Sequence, residues 1–229
     1  YRSSGFSAFR AARATTVTRK PRAREVWEKR RPAGNGGIEV LAGMEIGQLH
    51  ATPDADDFVR THPFDMVIGS LHAMPNDLDI YFHDFPNMDC DKFLHEYFDQ
   101  LLLLEEHGGF DVLAHIDYPL RVMKHGDYIP SFDNYMDRVQ QALRSCIDHG
   151  YALELNAAGI AGWQKKSVHA EYLYEYKRMG GERISIGSDA HTLAAVGRGF
   201  DDSVRNAQDA GFTHVTVFRE RKPHFVPLG

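Results

Sequence analysis

The sequence predicts an α/β fold with parallel strands covered by helices, and two observations predict it. From residue 38 onward, short apolar runs alternate regularly with helix-length segments, the pattern of parallel strands joined by covering helices. Residues capable of chemistry also recur at the C-terminal ends of successive strand segments, where open α/β sheets and α/β barrels carry their sites. Periodicity alone leaves open sheet and barrel both standing.

The elements follow in order. "IEVLAGMEI" reads as a strand, "PDADDFVRTH" as a short helix and "FDMVIGSLH" as a second strand. "DCDKFLHEYFDQLLLLEEHGG" is helix-length, with Phe93, Tyr97, Leu101 and Leu104 on one face, Leu101 to Leu104 as core and Gly108 as the stop. "FDVLAHID" is a strand. "SFDNYMDRVQQALRSCIDHG" is a helix, with Ser131 as N-cap and Gly150 as C-cap. "YALELN" is a strand, "VHAEYLYEYKRMGG" a helix, "RISIGSD" a strand and "DDSVRNAQDAG" a helix. "HVTVF" is the last of six strands. No internal repeat and no second domain is visible.

Composition narrows the class. The chain has 229 residues, 43% hydrophobic and 25% charged, which suits one globular domain with a substantial core. No apolar run approaches the ~18 residues of a membrane span, so no membrane partner is expected. The only two cysteines, Cys90 and Cys146, are far apart. That speaks against a disulfide framework or a cysteine-rich zinc site and suits a reducing cytoplasm.

Charge is uneven. Residues 1–37 hold ten Lys and Arg against Glu25 and Glu28, while all thirteen histidines lie in the acidic remainder. The basic stretch ends in the breaker-rich "RPAGNGG". It reads as a basic N-terminal segment distinct from a domain at 38–229. An organelle leader, a nucleic-acid arm and a poorly ordered extension all fit its composition, and nucleic acid is not the expected partner of the chain as a whole. A homo-oligomer is compatible with the sequence, which does not fix the oligomeric state.

The strand ends carry Glu45, His72, His115, Asn156, Asp189 and His191. Each alone has a plain structural reading. "GSDAH" can be a turn in which Ser188 or Asp189 caps a helix, Glu45 can pair with an arginine, and a lone histidine is more often packed or solvated than a ligand. Together, Glu45, His72, His115, Asp189 and His191 form a mixed nitrogen and oxygen set that suits Zn, Mn or Fe. Paired ions of this kind serve phosphoester hydrolysis. Among the other histidines, His95, His107, His149 and His214 read as packed or solvated, and His50, His62, His83, His125 and His169 as supporting or substrate-facing groups.

At these residues the chain resembles the polymerase-and-histidinol-phosphatase (PHP) family of metal-dependent phosphoesterases, in particular its monofunctional histidinol-phosphatase branch. The pieces are "LAGMEIG", "PFDMVIGSLH", "DVLAHIDYPLR", "LELNAAGI", "MGGERISIGSDAH", "VGRGFDDSVRNAQDAGF" and "VFRERKP", in the family's order across residues 38–228. The resemblance implies a distorted (β/α)7 barrel with two or three divalent ions. It implies that Glu45 bridges two ions, that His72 and His115 complete the second, and that Asp189 binds the first and His191 the third. Glu45, His72, His115, Asp189 and His191 are thereby the catalytic set. The implied substrate is a small phosphorylated metabolite, L-histidinol phosphate, hydrolysed to L-histidinol and phosphate in histidine biosynthesis, with a metal-bridging hydroxide as nucleophile.

The chain departs from the family in two places. The family opens with an H-x-H pair on its first strand, whereas no histidine precedes His50 here. The barrel is therefore expected to lack its first strand–helix unit, with His50 as a substitute ligand. A truncated or frame-shifted chain and a homologue that has lost part of its site both fit this pattern. The family's arginine after the asparagine strand is also unmatched, leaving Arg121, Lys165, Lys166 and Arg198 as candidates for the substrate phosphate. Two further readings stand beside the phosphatase: a PHP phosphoesterase with another substrate, and an inactive homologue acting as a binding protein.

Overall fold

Strand β1 (Gly43–Gly47) opens the structure, a computed structural model that describes residues 40–123, 132–158 and 168–229. It starts later than the apolar run suggests. The Ala42 N–H donates to the Asp65 carboxylate at 2.8 Å instead of to a neighbouring strand, while its carbonyl accepts the Asp65 N–H at 2.8 Å. Helix α1 (Pro53–Thr61) follows, with proline in its first turn beside Asp54 and Asp56, and Arg60 in its last. Both placements suit the helix dipole. Then come β2 (Met66–Ser70), α2 (Cys90–His107), β3 (Val112–Leu113) and α3 (Tyr118–Met123). After these come α4 (Met136–His149), β4 (Ala152–Asn156), α5 (Val168–Arg178), β5 (Ile184–Gly187) and α6 (Phe200–Asp209). The chain then forms β6 (His214–Arg219) and β7 (Lys222–Pro227).

The helix ends show the expected local chemistry. Asp89 caps α2 by accepting the Lys92 N–H at 3.0 Å, and Gly108 ends it at a φ of 72°. Gly150 closes α4 in the left-handed region. The start of α4 differs from the sequence reading. A 3-10 turn at Phe132–Tyr135 precedes it, the helix proper begins at Met136, and Ser131 lies outside the described residues. The Leu101 to Leu104 run is also only partly core. Leu101 and Leu104 are fully buried, while Leu103 is 49% exposed, because successive helical residues turn by about 100° and four in a row cannot share one face.

Strands β1 to β5 are parallel and neighbour one another in sequence order. An open doubly wound sheet reverses its strand order at a switch point. This sheet advances in one direction, as a barrel wall does. The two faces of the wall follow from period-two alternation. Register aligns Glu45, Ile68, Val112 and Ala152 on one face. The other face presents Ile46, Val67, Leu113, Leu153, Leu155 and Ile184 to the large apolar core shared with the helices. The inner face carries its own small cluster, in which Phe218 of β6 packs on Val112, Ala152, Met66 and Ile68.

The end of the chain corrects the expected strand count. "HVTVF" is not the final strand and is not part of the parallel sheet. β6 pairs antiparallel with β7. The two prolines of "KPHFVP" conceal β7 in the sequence, yet proline is tolerated on an edge strand, and β7 is exposed along its length. The connecting residues Glu220 and Arg221 both take positive φ, 50° and 63°, as a two-residue hairpin turn requires. Asp65 holds this turn, its backbone carbonyl accepting the Arg221 N–H at 3.0 Å and its carboxylate the Glu220 N–H at 3.1 Å. The Arg221 guanidinium bonds the Asp111 carboxylate, and also the Gly109 carbonyl at 2.8 Å. The hairpin thus closes the wall at the N-terminal ends of β2 and β3. No helix among the described residues is long and apolar enough to cross a membrane.

Candidate metal centre

Glu45 lies on the inner face of β1, in register with Ile68. His72 stands two residues beyond the end of β2, and His115 two beyond β3. Parallel strands therefore bring all three to the same end of the wall. Glu45 Oε1 is 3.2 Å from His115 Nε2 and 3.3 Å from His72 Nε2, and the two Nε2 atoms are 3.2 Å apart. These three atoms form a nearly equilateral triangle. Zinc with ligands at ~2.0 Å has tetrahedral edges of about 3.3 Å, so the triangle has the dimensions of one face of such a site. His115 is buried, whereas the side chains of Glu45 and His72 are each about one-third exposed, so the group opens toward solvent on one side.

The electrostatics favour ligand forms. Burial opposes ionisation of Glu45. The hydrogen bond from His115, the charges of His115 and His72 and the Ser70 hydroxyl outweigh it and hold its carboxyl at about 2. Burial pushes the His72 pKa down, helped by His115 and opposed by Glu45, Asp79 and Asp189. A carboxylate beside a neutral imidazole is what a divalent ion binds.

Asp189 and His191 follow β5. Asp189 takes a φ of 47° and accepts the Asn156 side-chain amide at 3.3 Å. His191 Nε2 is 3.2 Å from the Asp189 carboxylate, with the imidazole 88% exposed. Neither Ser188 nor Asp189 caps a helix. The following 3-10 turn starts after Thr192 and α6 after Gly199, both without a side-chain cap. The pair stands at the rim, near enough for Asp189 to act on His72 through its charge, but outside the Glu45–His72–His115 triangle.

The other candidates divide. His50 does not join the triangle. Its Nε2 is 2.9 Å from the Gln100 side-chain oxygen. The rings of His62 and His83 bond the carbonyls of Phe58 and Leu78, at 2.8 Å and 3.2 Å. His95 meets Tyr135 edge-on, and His149 stacks on Tyr151. Arg121 falls in α3, and Arg198 is exposed in the turn before α6. Lys165, Lys166 and His125 lie outside the described residues.

Three supporting residues escaped the sequence reading. Tyr118 packs against both ligand rings, 5.0 Å from His72 and 5.3 Å from His115, and donates to Asp79 at 2.9 Å. Asp79 in turn accepts the Tyr81 N–H. Glu154 is buried on the inner face of β4, and its Oε2 accepts the His115 N–H at 3.1 Å and the Asn156 amide at 3.3 Å. The signal for Glu154 was present, because period-two alternation in "ALELN" puts it on the same face as Asn156.

Known proteins resemble this chain along most of its length. The PHP domain family matches residues 17–158, beginning ahead of residue 38. A probable histidinol-phosphatase of Clostridium acetobutylicum is 30% identical over 190 residues, covering 80% of this chain and 72% of that protein. The histidinol-phosphatase of Lactococcus lactis subsp. lactis is 24% identical, covering 81% and 70%. The crystal structure of histidinol phosphate phosphatase from that bacterium, complexed with zinc, L-histidinol and phosphate, superposes with a TM-score of 0.70. It shares 21% identity and covers 91% of this chain and 78% of that one.

Proposed function

Because this chain belongs to the PHP domain family, we propose that it hydrolyses a phosphate monoester, L-histidinol phosphate, to L-histidinol and phosphate. The observation that carries the reading is the triangle of Glu45 Oε1, His72 Nε2 and His115 Nε2, with edges of 3.2 to 3.3 Å. Relatives named as histidinol-phosphatases support the substrate. The zinc complex of the Lactococcus enzyme supports zinc as the ion.

Glu45, His72 and His115 would hold one divalent ion, and Asp189 and His191 would extend the centre to two or three. Bound there, such ions lower the pKa of a water and neutralise phosphate charge. The chain's residues set the stage for this. Glu45 stays a carboxylate at neutral pH because the two imidazoles favour its charged form. Desolvation by the surrounding residues, helped by His115, shifts His72 toward its neutral form. The exposed guanidinium of Arg198 stands in the turn after the Asp189–His191 pair, available to the substrate phosphate. Hydrolysis forms a bond from the water oxygen to phosphorus and breaks the ester P–O bond, and the proton from water ends on the departing alcohol oxygen.

The test is phosphate release by the purified chain from histidinol phosphate and from a panel of other monoesters. It is run before and after chelation and again after adding back zinc, manganese or iron(II). The reading expects histidinol phosphate to be the fastest substrate, EDTA to abolish turnover and zinc to restore it. Faster release from another monoester would move the substrate. No release with any ion would leave a binding protein.

A further inference from the structure

We propose that Glu154 is a positioning residue that joins the two ligand groups of the metal centre into one frame. The inference rests on the metal-site reading above. One carboxylate oxygen of Glu154 accepts the backbone N–H of His115 at 3.1 Å and the side-chain amide of Asn156 at 3.3 Å. The same amide donates to Asp189 at 3.3 Å, and Asp189 meets His191 at 3.2 Å. A single polar chain therefore runs from the backbone of His115 to the carboxylate and imidazole at the rim.

Two further observations place Glu154 in this role. It is 9% exposed on the inner face, directly above Ala152 and the Phe218 plug, a position where an apolar side chain would pack at no electrostatic cost. The wall is also shaped around it. A Cβ on Gly187 would lie 2.8 Å from Glu154 Oε1, so the glycine at the end of β5 leaves room for that oxygen. Partners behind metal ligands fix ligand orientation, and their loss typically lowers metal affinity or activity about 10- to 100-fold.

The experiment compares the full chain with Glu154→Leu, Glu154→Gln and Asn156→Leu. It measures zinc affinity by competition with a chromophoric chelator, and kcat and KM on histidinol phosphate. Glu154→Leu and Asn156→Leu are expected to lose about 10- to 100-fold in zinc affinity or kcat, with KM within about threefold of the parent. Glu154→Gln, which keeps the shape and one acceptor oxygen, should recover at least part of the loss. Should Glu154→Leu fail to fold, Asn156→Leu cuts the same chain one link later and is read instead. If the folded variant keeps both zinc affinity and kcat within about threefold of the parent while only its melting temperature falls, the residue is merely structural and the proposal is overturned. A parent that binds zinc but releases no phosphate sinks the substrate reading and leaves the affinity comparison decisive. A parent that binds no zinc overturns both.

Discussion

His72 and His115 face each other Nε2 to Nε2 at 3.2 Å, brought together across 43 residues of sequence. Two neutral imidazoles in this pose can share one proton between the nitrogens or direct both lone pairs at a cation. Burial, helped by the neighbouring His115, holds the His72 pKa below its usual value, which favours the neutral form of that imidazole. Replacing the buried member, His115→Ala, is expected to lower zinc affinity and turnover by more than the roughly 100-fold that follows loss of a supporting partner. His50→Ala should change neither by more than about threefold, since His50 is engaged with Gln100. Zinc titration of both variants checks this, and an unchanged affinity for His115→Ala would reject the centre.

Gly187 tests the shape of the inner wall. A methyl group there would press on Glu154 Oε1, a contact that only movement of the carboxylate can relieve. Gly187→Ala is expected to reduce kcat about tenfold, the lower end for a disturbed supporting partner, with a small change in melting temperature. Pairing it with Glu154→Gln should give less than the sum of the two losses. Full additivity would show that the methyl acts elsewhere.

The Asp111–Arg221 pair links residues 110 apart in sequence. Burial pushes the Asp111 pKa up, and the Arg221 bond together with the Val67 N–H pulls against it. Removing the arginine leaves a mostly buried carboxylate short of its cation. Arg221→Ala should cost about 1–3 kcal/mol, below the 3–5 of a fully buried pair because the guanidinium is partly exposed. Urea unfolding measures it. Turnover of the folded variant should be unaffected, because the pair lies at the end of the strands opposite the metal centre.

Glu105 gives a pH signature. It is fully buried in α2, and neither carboxyl oxygen meets a partner with hydrogen-bond geometry. Burial pushes its pKa up to about 8, only partly offset by the Ser145 hydroxyl nearby. The folded chain therefore keeps this proton up to about pH 8, while the unfolded chain releases it near the ordinary value of 4.5. Between those limits the unfolded state binds fewer protons, so stability falls as pH rises, by up to roughly 5 kcal/mol at 1.36 kcal/mol per pKa unit. Glu105→Gln should remove that slope and be the more stable protein at pH 8. Denaturation midpoints of the two proteins at pH 5 and pH 8 decide it; parallel pH dependences would show that Glu105 does not carry the effect.

Much of the wall and the three residues of the triangle were legible in the sequence, for physical reasons. Short apolar runs bounded by helix patterns mark β1, β2, β4 and β5, and capable residues at or just past their C-terminal ends point at one rim. What escaped was non-local or conformational. β7 was hidden because Pro223 and Pro227 suppress strand propensity, and because its turn is made by Glu220 and Arg221 rather than by glycine or asparagine. The short span of β3 was invisible because "FDVLAHID" is apolar well beyond Val112–Leu113. Glu154 was overlooked although alternation in "ALELN" marks it, since a buried glutamate earns no prior until its partners on β3 and β5 are known. Tyr118 became meaningful only when α3 placed its ring against both histidines.

The hairpin also sets an order of assembly. Asp65 grips a turn 155 residues further along the chain, and Phe218 fills the space bounded by β2, β3 and β4. During synthesis, the lower inner surface of the wall must wait for residues 214–227 before it can dry. Contacts of such long sequence separation form late and slow the final step. A nascent chain stalled before residue 214 would present Met66, Ile68 and Val112 uncovered, the kind of surface that recruits chaperones or aggregates. The C-terminal hairpin thus seals the inner wall from below, at the end of the strands opposite the metal centre.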